Sequence, residues 1–240
     1  MKNLPWSPKL ERQTNLFISG LKKAYKQDLL SVVLYGSSAY AKVIPAYSSL
    51  NILVILRSTN PSELKKATRL VNKFRKLKPL FLTKEYISSS LDIFPIEFLD
   101  MQENYILLYG DDFLKDICVD LKNLRFQCEH ELKAKLLNLK QLYLGLNDRP
   151  AALKEPLLRS FTSILHILRN VLRIKGQQPP YKREDLLKDI AAHFKIEISH
   201  WEKILAVKLG KVKITKAQTE ELFLVFVDNL EEIIQAVDVL

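Results

Sequence analysis

The apolar residues of this chain change their spacing near Leu121, and that change limits the fold more than any other feature. Leu121, Leu124, Cys128, Leu132, Leu136, Leu139 and Leu142 recur at intervals of three or four, the repeat of one helix face. A second helix is expected after Pro156, with Leu157, Phe161, Ile164, Leu165, Leu168 and Leu172 turned inward. Gly176 and the Gln177-Gln178-Pro179-Pro180 stretch should end it. Shorter helices are expected over 183–194 and 199–208, and a last one over about 216–239 with Leu222, Phe226, Leu230, Ile233 and Val237 on one side. Antiparallel helices with short connections pack as a bundle. Residues 121–240 are therefore expected to be an all-α helical bundle domain.

Before Leu121 the pattern is mixed. Residues 8–28 place Leu10, Leu16, Phe17, Leu21 and Tyr25 at helical spacing. An unbroken β-rich run over 29–35 stops at Gly36, and a second run fills 50–56. Apolar runs of this length bounded by turn residues read as buried strands. Pro61-Ser62-Glu63 is a helix start, opening a basic helix to about Leu77. Further strands are expected at 80–82, 93–99 and 105–109, the last broken by Gly110-Asp111-Asp112, whose acids are expected to cap the segment from Phe113. Residues 1–120 thus read as an α+β domain, a mixed sheet with helices.

Composition narrows the function classes. With 48% hydrophobic and 27% charged residues the chain has enough apolar matter to fold, and only 6 glycines in 240 residues argue against an all-β architecture. No apolar run reaches the roughly 18 residues of a membrane span. The start, Met1 to Trp6, lacks the apolar core of a signal peptide, so a cytoplasmic protein without a membrane partner is expected. Cys118 and Cys128 are too few for a disulfide framework, have no metal-like spacing with His130, and are expected to be buried thiols. A net charge of +10 favours an anionic partner: a nucleotide, a nucleic acid or an acidic protein. The densest basic group, Lys65, Lys66, Arg69, Lys73, Arg75, Lys76 and Lys78, lies on the expected helix from Pro61, where a solvated helix face is a simpler account of it than nucleic acid.

The stretch that carries chemistry runs from Leu34-Tyr35-Gly36-Ser37-Ser38-Ala39 to Ser48-Ser49-Leu50-Asn51-Ile52-Leu53-Val54. A Gly-Ser turn between a strand and a helical segment offers backbone N–H groups and a hydroxyl to a phosphate. Glycine suits it because the backbone must turn sharply and approach a ligand closely. The motif resembles the signature of the nucleotidyltransferase superfamily, the DNA polymerase β-like proteins that include minimal and aminoglycoside nucleotidyltransferases. The resemblance implies that Gly36 and Ser37 meet the β- and γ-phosphates of a nucleoside triphosphate. It also implies two acidic residues, one apolar residue apart, that hold divalent metals. Ser49 and Asn51 stand at those two positions, and Tyr40 and Ala41 replace the Arg-Gly usual after Ala39. Losing two carboxylates puts several kcal/mol of transition-state charge stabilisation, an order-of-magnitude figure, at risk.

The family's third carboxylate lies on a later strand, as metal ligand or general base. Glu97 is the candidate, with Asp100 as fallback, because an acid among the apolar residues of an expected strand needs a reason to be there. Members of the family also carry or partner with helical bundles that help form an acceptor site or a dimer. Within the bundle, Arg159 and His166 share a helix face and are similar in spacing to the Arg-His pair of helical HEPN ribonucleases, while a structural histidine at a bundle seam is the simpler account of His166.

The expected fold is a nucleotidyltransferase-like α+β domain over 1–120 and a helical bundle over 121–240. The expected function is a catalytically degenerate nucleotide-binding or interaction module, with Gly36, Ser37, Ser38, Ser49 and Asn51 at the nucleotide and no metal held by the chain itself. Two alternatives stand beside it. One is an active enzyme that moves a nucleotide from ATP or another triphosphate with Mg²⁺ and Glu97. The other is a scaffold that dimerises, or takes a protein partner, through the bundle.

Overall fold

The computed structural model describes residues 7–36, 39, 49–146 and 149–239. The fold is α+β, a mixed four-stranded sheet with helices followed by an all-helical region. The chain groups into two compact units, Met1–Asp120 and Leu121–Leu240. Among the described residues no helix is long and apolar enough to cross a membrane.

In the first unit, helix α1 (Pro8–Tyr25) begins with Pro8 in its first turn, where no backbone donor is needed, and the Ser7 hydroxyl accepts the Leu10 N–H. Strands β1 (Leu29–Tyr35) and β2 (Leu50–Leu56) run antiparallel. Helix α2 (Pro61–Lys73), capped by Asn60 through its bond from the Glu63 N–H at 3.0 Å, carries the chain over to β3 (Leu77–Thr83), which is parallel to β2. After α3 (Lys84–Ser89) and α4 (Pro95–Glu103), β4 (Tyr105–Gly110) pairs antiparallel with the free edge of β1, giving the order β3-β2-β1-β4.

Both faces of the sheet are covered, which is why β1 and β2 read as unbroken apolar runs. Val32, Leu34, Ile52 and Val54 pack with Phe17 and Leu21 of α1 and Ala67 of α2. Val33, Leu53 and Ile55 point the other way, to Ile87, Phe98, Met101 and Leu114. At the far end of the sheet Gly110 has φ +80°, and a Cβ there would lie 1.9 Å from the Leu30 carbonyl oxygen. Asp112 then accepts the Lys115 N–H at 3.2 Å, the capping role expected of that acidic turn.

The structure corrects three expectations here. Residues 93–99 do not form a strand; Pro95 opens helix α4, which buries Ile96, Phe98 and Met101 and leaves Glu97 exposed. A short apolar run is ambiguous between the two periods, and proline in the first helical turn decides it. The basic helix stops at Lys73 rather than Leu77, so Lys78 belongs to β3. Cys118 is exposed, and only Cys128 is buried.

The second unit is built from α5 (Leu121–Leu146), a 3-10 turn (Pro150–Leu153), α6 (Lys154–Ile174), α7 (Arg183–Phe194), α8 (Ser199–Lys208) and α9 (Lys216–Asp238). Of the expected α5 face Leu124, Cys128, Leu132 and Leu139 are buried and Leu136 and Leu142 half-buried, whereas Leu121, at the helix start, is exposed. Phe161, Trp201 and Phe226 form an aromatic centre with ring centroids 4.9 to 5.9 Å apart, and the Trp201 indole N–H donates to Asn229. A capping box of Thr215 and Gln218 starts α9.

Candidate functional site

The Gly-Ser motif sits where β1 ends and β2 begins. Pairing registers place Lys78 of β3, Asn51 of β2, Tyr35 of β1 and Tyr105 of β4 in one row across the sheet. Alternation puts this row on the face of Val33, Leu53 and Ile55. Gly36, at φ +77°, turns the chain away, and a Cβ there would lie 3.6 Å from the Asn51 side-chain nitrogen. The Asn51 amide therefore lies against the turn, and both Ser49 and Asn51 are exposed at its mouth. The Gly36 N–H donates to the Asn104 carbonyl at 3.0 Å, and the Gly36 carbonyl accepts the Ala39 N–H at 2.9 Å. The free amide that a phosphate would use is thus not that of Gly36. Ser37 and Ser38, like Tyr40 and Ala41, lie outside the described residues.

The β3 and β2 members of this row are a cation and a neutral amide, whereas Asp112 meets its β4 end. Among the described residues no strand carries an Asp or Glu: the residues are Leu-Leu-Ser-Val-Val-Leu-Tyr, Leu-Asn-Ile-Leu-Val-Ile-Leu, Leu-Lys-Pro-Leu-Phe-Leu-Thr and Tyr-Ile-Leu-Leu-Tyr-Gly. Lys78, beside Asn51, is exposed and has no ion pair among the described residues. The Lys76 carbonyl accepts the Leu50 N–H at 2.8 Å, which ties the basic connection after α2 to the start of β2. On the opposite face of the sheet a cavity of about 370 Å³ has Lys9, Lys73, Arg75 and Lys76 around Leu10 and Phe74. Two neutral oxygen donors next to an ammonium do not fit a divalent cation, which needs carboxylate charge to leave its water shell. Among the described residues no group of three or more His, Cys, Asp or Glu is placed to hold a metal ion.

The carboxylates on helix α4 are arranged differently from the sequence expectation. Glu97 is exposed in the first turn, and the reason for singling it out, burial within a strand, is gone. Asp100 is half-buried on the same helix. Glu103, which sequence reasoning passed over, ends α4 directly before Asn104, the residue that anchors Gly36. Its position depends on a backbone bond between distant segments, and no spacing rule reveals that. At the β4 end of the row, burial and then the bond from its hydroxyl to Asp112, 2.8 Å long, push the Tyr105 phenol up to about 12. Burial also raises Tyr35.

In the helical unit Arg159 and His166 both lie on the outer face of α6. Arg159 pairs with Glu155 at 2.6 Å, both side chains being well exposed. Arg159 also lines a groove with His130, Lys135 and Ser163. Arg169 was not singled out from the sequence, yet it is buried, stacked 3.7 Å over the Tyr181 ring and donating to the Pro179 carbonyl. That contact fastens the Gln177–Tyr181 loop to α6 and gives Arg169 a structural role.

No family model matches the chain, and no curated protein matches it. It does match solved structures. One is a spectinomycin adenyltransferase from Enterococcus faecialis, determined with ATP and spectinomycin, with a TM-score of 0.57 at 12% sequence identity over 92% of this chain and 99% of that chain. A likeness at that identity speaks to the path of the backbone, and it shows that this chain has a nucleotidyltransferase-like fold.

Proposed function

We propose that this protein is a catalytically degenerate nucleotidyltransferase that binds a nucleotide through its triphosphate at the turn after β1, and that it does not carry out two-metal nucleotidyl transfer. The observation that supports this reading is the row Lys78-Asn51-Tyr35-Tyr105. Within it Asn51 stands at one of the two positions where the sequence resemblance implies carboxylates, and the row holds a cation and neutral groups. A second support is Gly36 itself, which has a positive φ and accepts the Ala39 N–H through its carbonyl. Ser37 supplies the hydroxyl, and Ser49 and Asn51 supply hydrogen bonds rather than metal ligation.

The test has two readouts. Calorimetry should give ATP binding that Ser37→Ala weakens. Incubation with ATP, Mg²⁺ and candidate hydroxyl acceptors should release no pyrophosphate above background. Pyrophosphate release that is lost on mutating Glu103, Asp100 or Glu97 would establish the active-enzyme reading instead.

A second reading has one observation in its favour. Phe126, Leu137 and Leu144 fall on one stripe of α5 and are 67%, 63% and 74% exposed. Such a stripe suits a second copy or another protein, with the first unit serving as a scaffold. A monomer at high concentration in light scattering, unchanged by Leu137→Glu, would count against it.

A further inference from the structure

Building on the nucleotide-binding reading, we propose that the Lys78 ammonium takes the place of the divalent cation, so that this site prefers the metal-free polyphosphate chain of a nucleoside triphosphate to its Mg²⁺ complex. In-register neighbours on parallel strands project to the same face about 4.8 Å apart, so Lys78 stands beside Asn51. Asn51 in turn lies against Gly36. A cation is thus held within a side chain's length of the turn where phosphate oxygens would lie. Lysine acts on phosphate as a point charge on a flexible stem and needs no fixed coordination geometry.

A second group of cations lies on the other face of the sheet, where Lys73, Arg75 and Lys76 lead into β3 and Lys9 at the start of α1 lines the same cavity. A triphosphate without magnesium carries two more negative charges than its complex. A site with a cation and no strand carboxylate therefore favours the free form, and Mg²⁺ is a competitor for the ligand rather than part of it. The acid that backbone pairing brings toward the turn, Glu103, sits at the end of α4 and not in the row.

The experiment is calorimetric titration with ATP and with inorganic tripolyphosphate, each in EDTA and in excess Mg²⁺, on wild type, Lys78→Gln and Lys78→Arg. Lys66→Gln serves as control, because Lys66 is engaged by Glu63 on α2. The expected results are weaker binding in excess Mg²⁺, a loss of about tenfold in Lys78→Gln for both ligands, and near-wild-type affinity in Lys78→Arg and in the control. Lys78→Gln binding as tightly as wild type overturns this inference and leaves the nucleotide-binding reading standing. Wild type that binds neither ligand overturns both. If Lys78→Gln melts early, the wild-type comparison decides, since tighter binding with Mg²⁺ contradicts the proposal on its own.

Discussion

Restoring the acids at Ser49 and Asn51 should not by itself restore a metal site, because the row supplies an opposing charge. Asn51→Asp would set a carboxylate beside Lys78 across one strand spacing. A divalent ion bound by that carboxylate would sit roughly 5 Å from the ammonium. At that distance the repulsion between charges of +2 and +1 is about 1.7 kcal/mol with the dielectric of water, which suits residues exposed at the mouth of the turn. By the rule of 1.4 kcal/mol per factor of ten, that is about a 15-fold loss of Mg²⁺ affinity. Titration of Mg²⁺ into Ser49→Asp/Asn51→Asp, with and without Lys78→Gln, measures it directly. The triple variant should bind about tenfold more tightly than the double at low salt, with the gap narrowing as ionic strength rises. Equal affinity in two folded variants would refute the placement of Lys78 against the motif.

Other expectations follow from the same structure. Gly110→Ala combines a left-handed backbone with a Cβ 1.9 Å from the Leu30 carbonyl, so it should lower unfolding stability in a denaturant titration by on the order of 3 kcal/mol. Trp201→Ala empties the aromatic centre between Phe161 and Phe226 and should cost about 3–5 kcal/mol in the same assay. Tyr105, held up to about 12 against an ordinary 10.0, keeps its proton longer when folded. Its contribution to stability is therefore complete below pH 10.0 and lost as pH rises through about 12, and absorbance titration of Asp112→Asn should show its midpoint move down.

The two halves of the chain were legible because each rests on a periodicity. The change at Leu121 separates helices from mixed elements, and β1 and β2 announce themselves because both of their faces are buried. The run from Ile93 to Leu99 misled for the opposite reason. It is short, and its buried residues Ile96 and Phe98 alternate as they would in a strand, so that Pro95 in the first turn is what marks the helix. Glu97 was drawn in with it. The motif itself could be read along the chain, but its electrostatics could not. Lys78 seemed one more charge on a basic helix until β3 paired in parallel with β2 and brought it to Asn51. Glu103 was hidden in the same way, because the pairing of β1 with β4 and the bond between Gly36 and Asn104 bring the end of α4 to the turn.

The most direct test of the account is whether ATP binds in the complete absence of divalent cation. Calorimetric titration of the wild-type protein in EDTA should show a saturable one-site isotherm that Ser37→Ala abolishes and that added Mg²⁺ does not strengthen. Binding that arises only once Mg²⁺ is supplied would contradict the account and assign the turn to a metal-using enzyme.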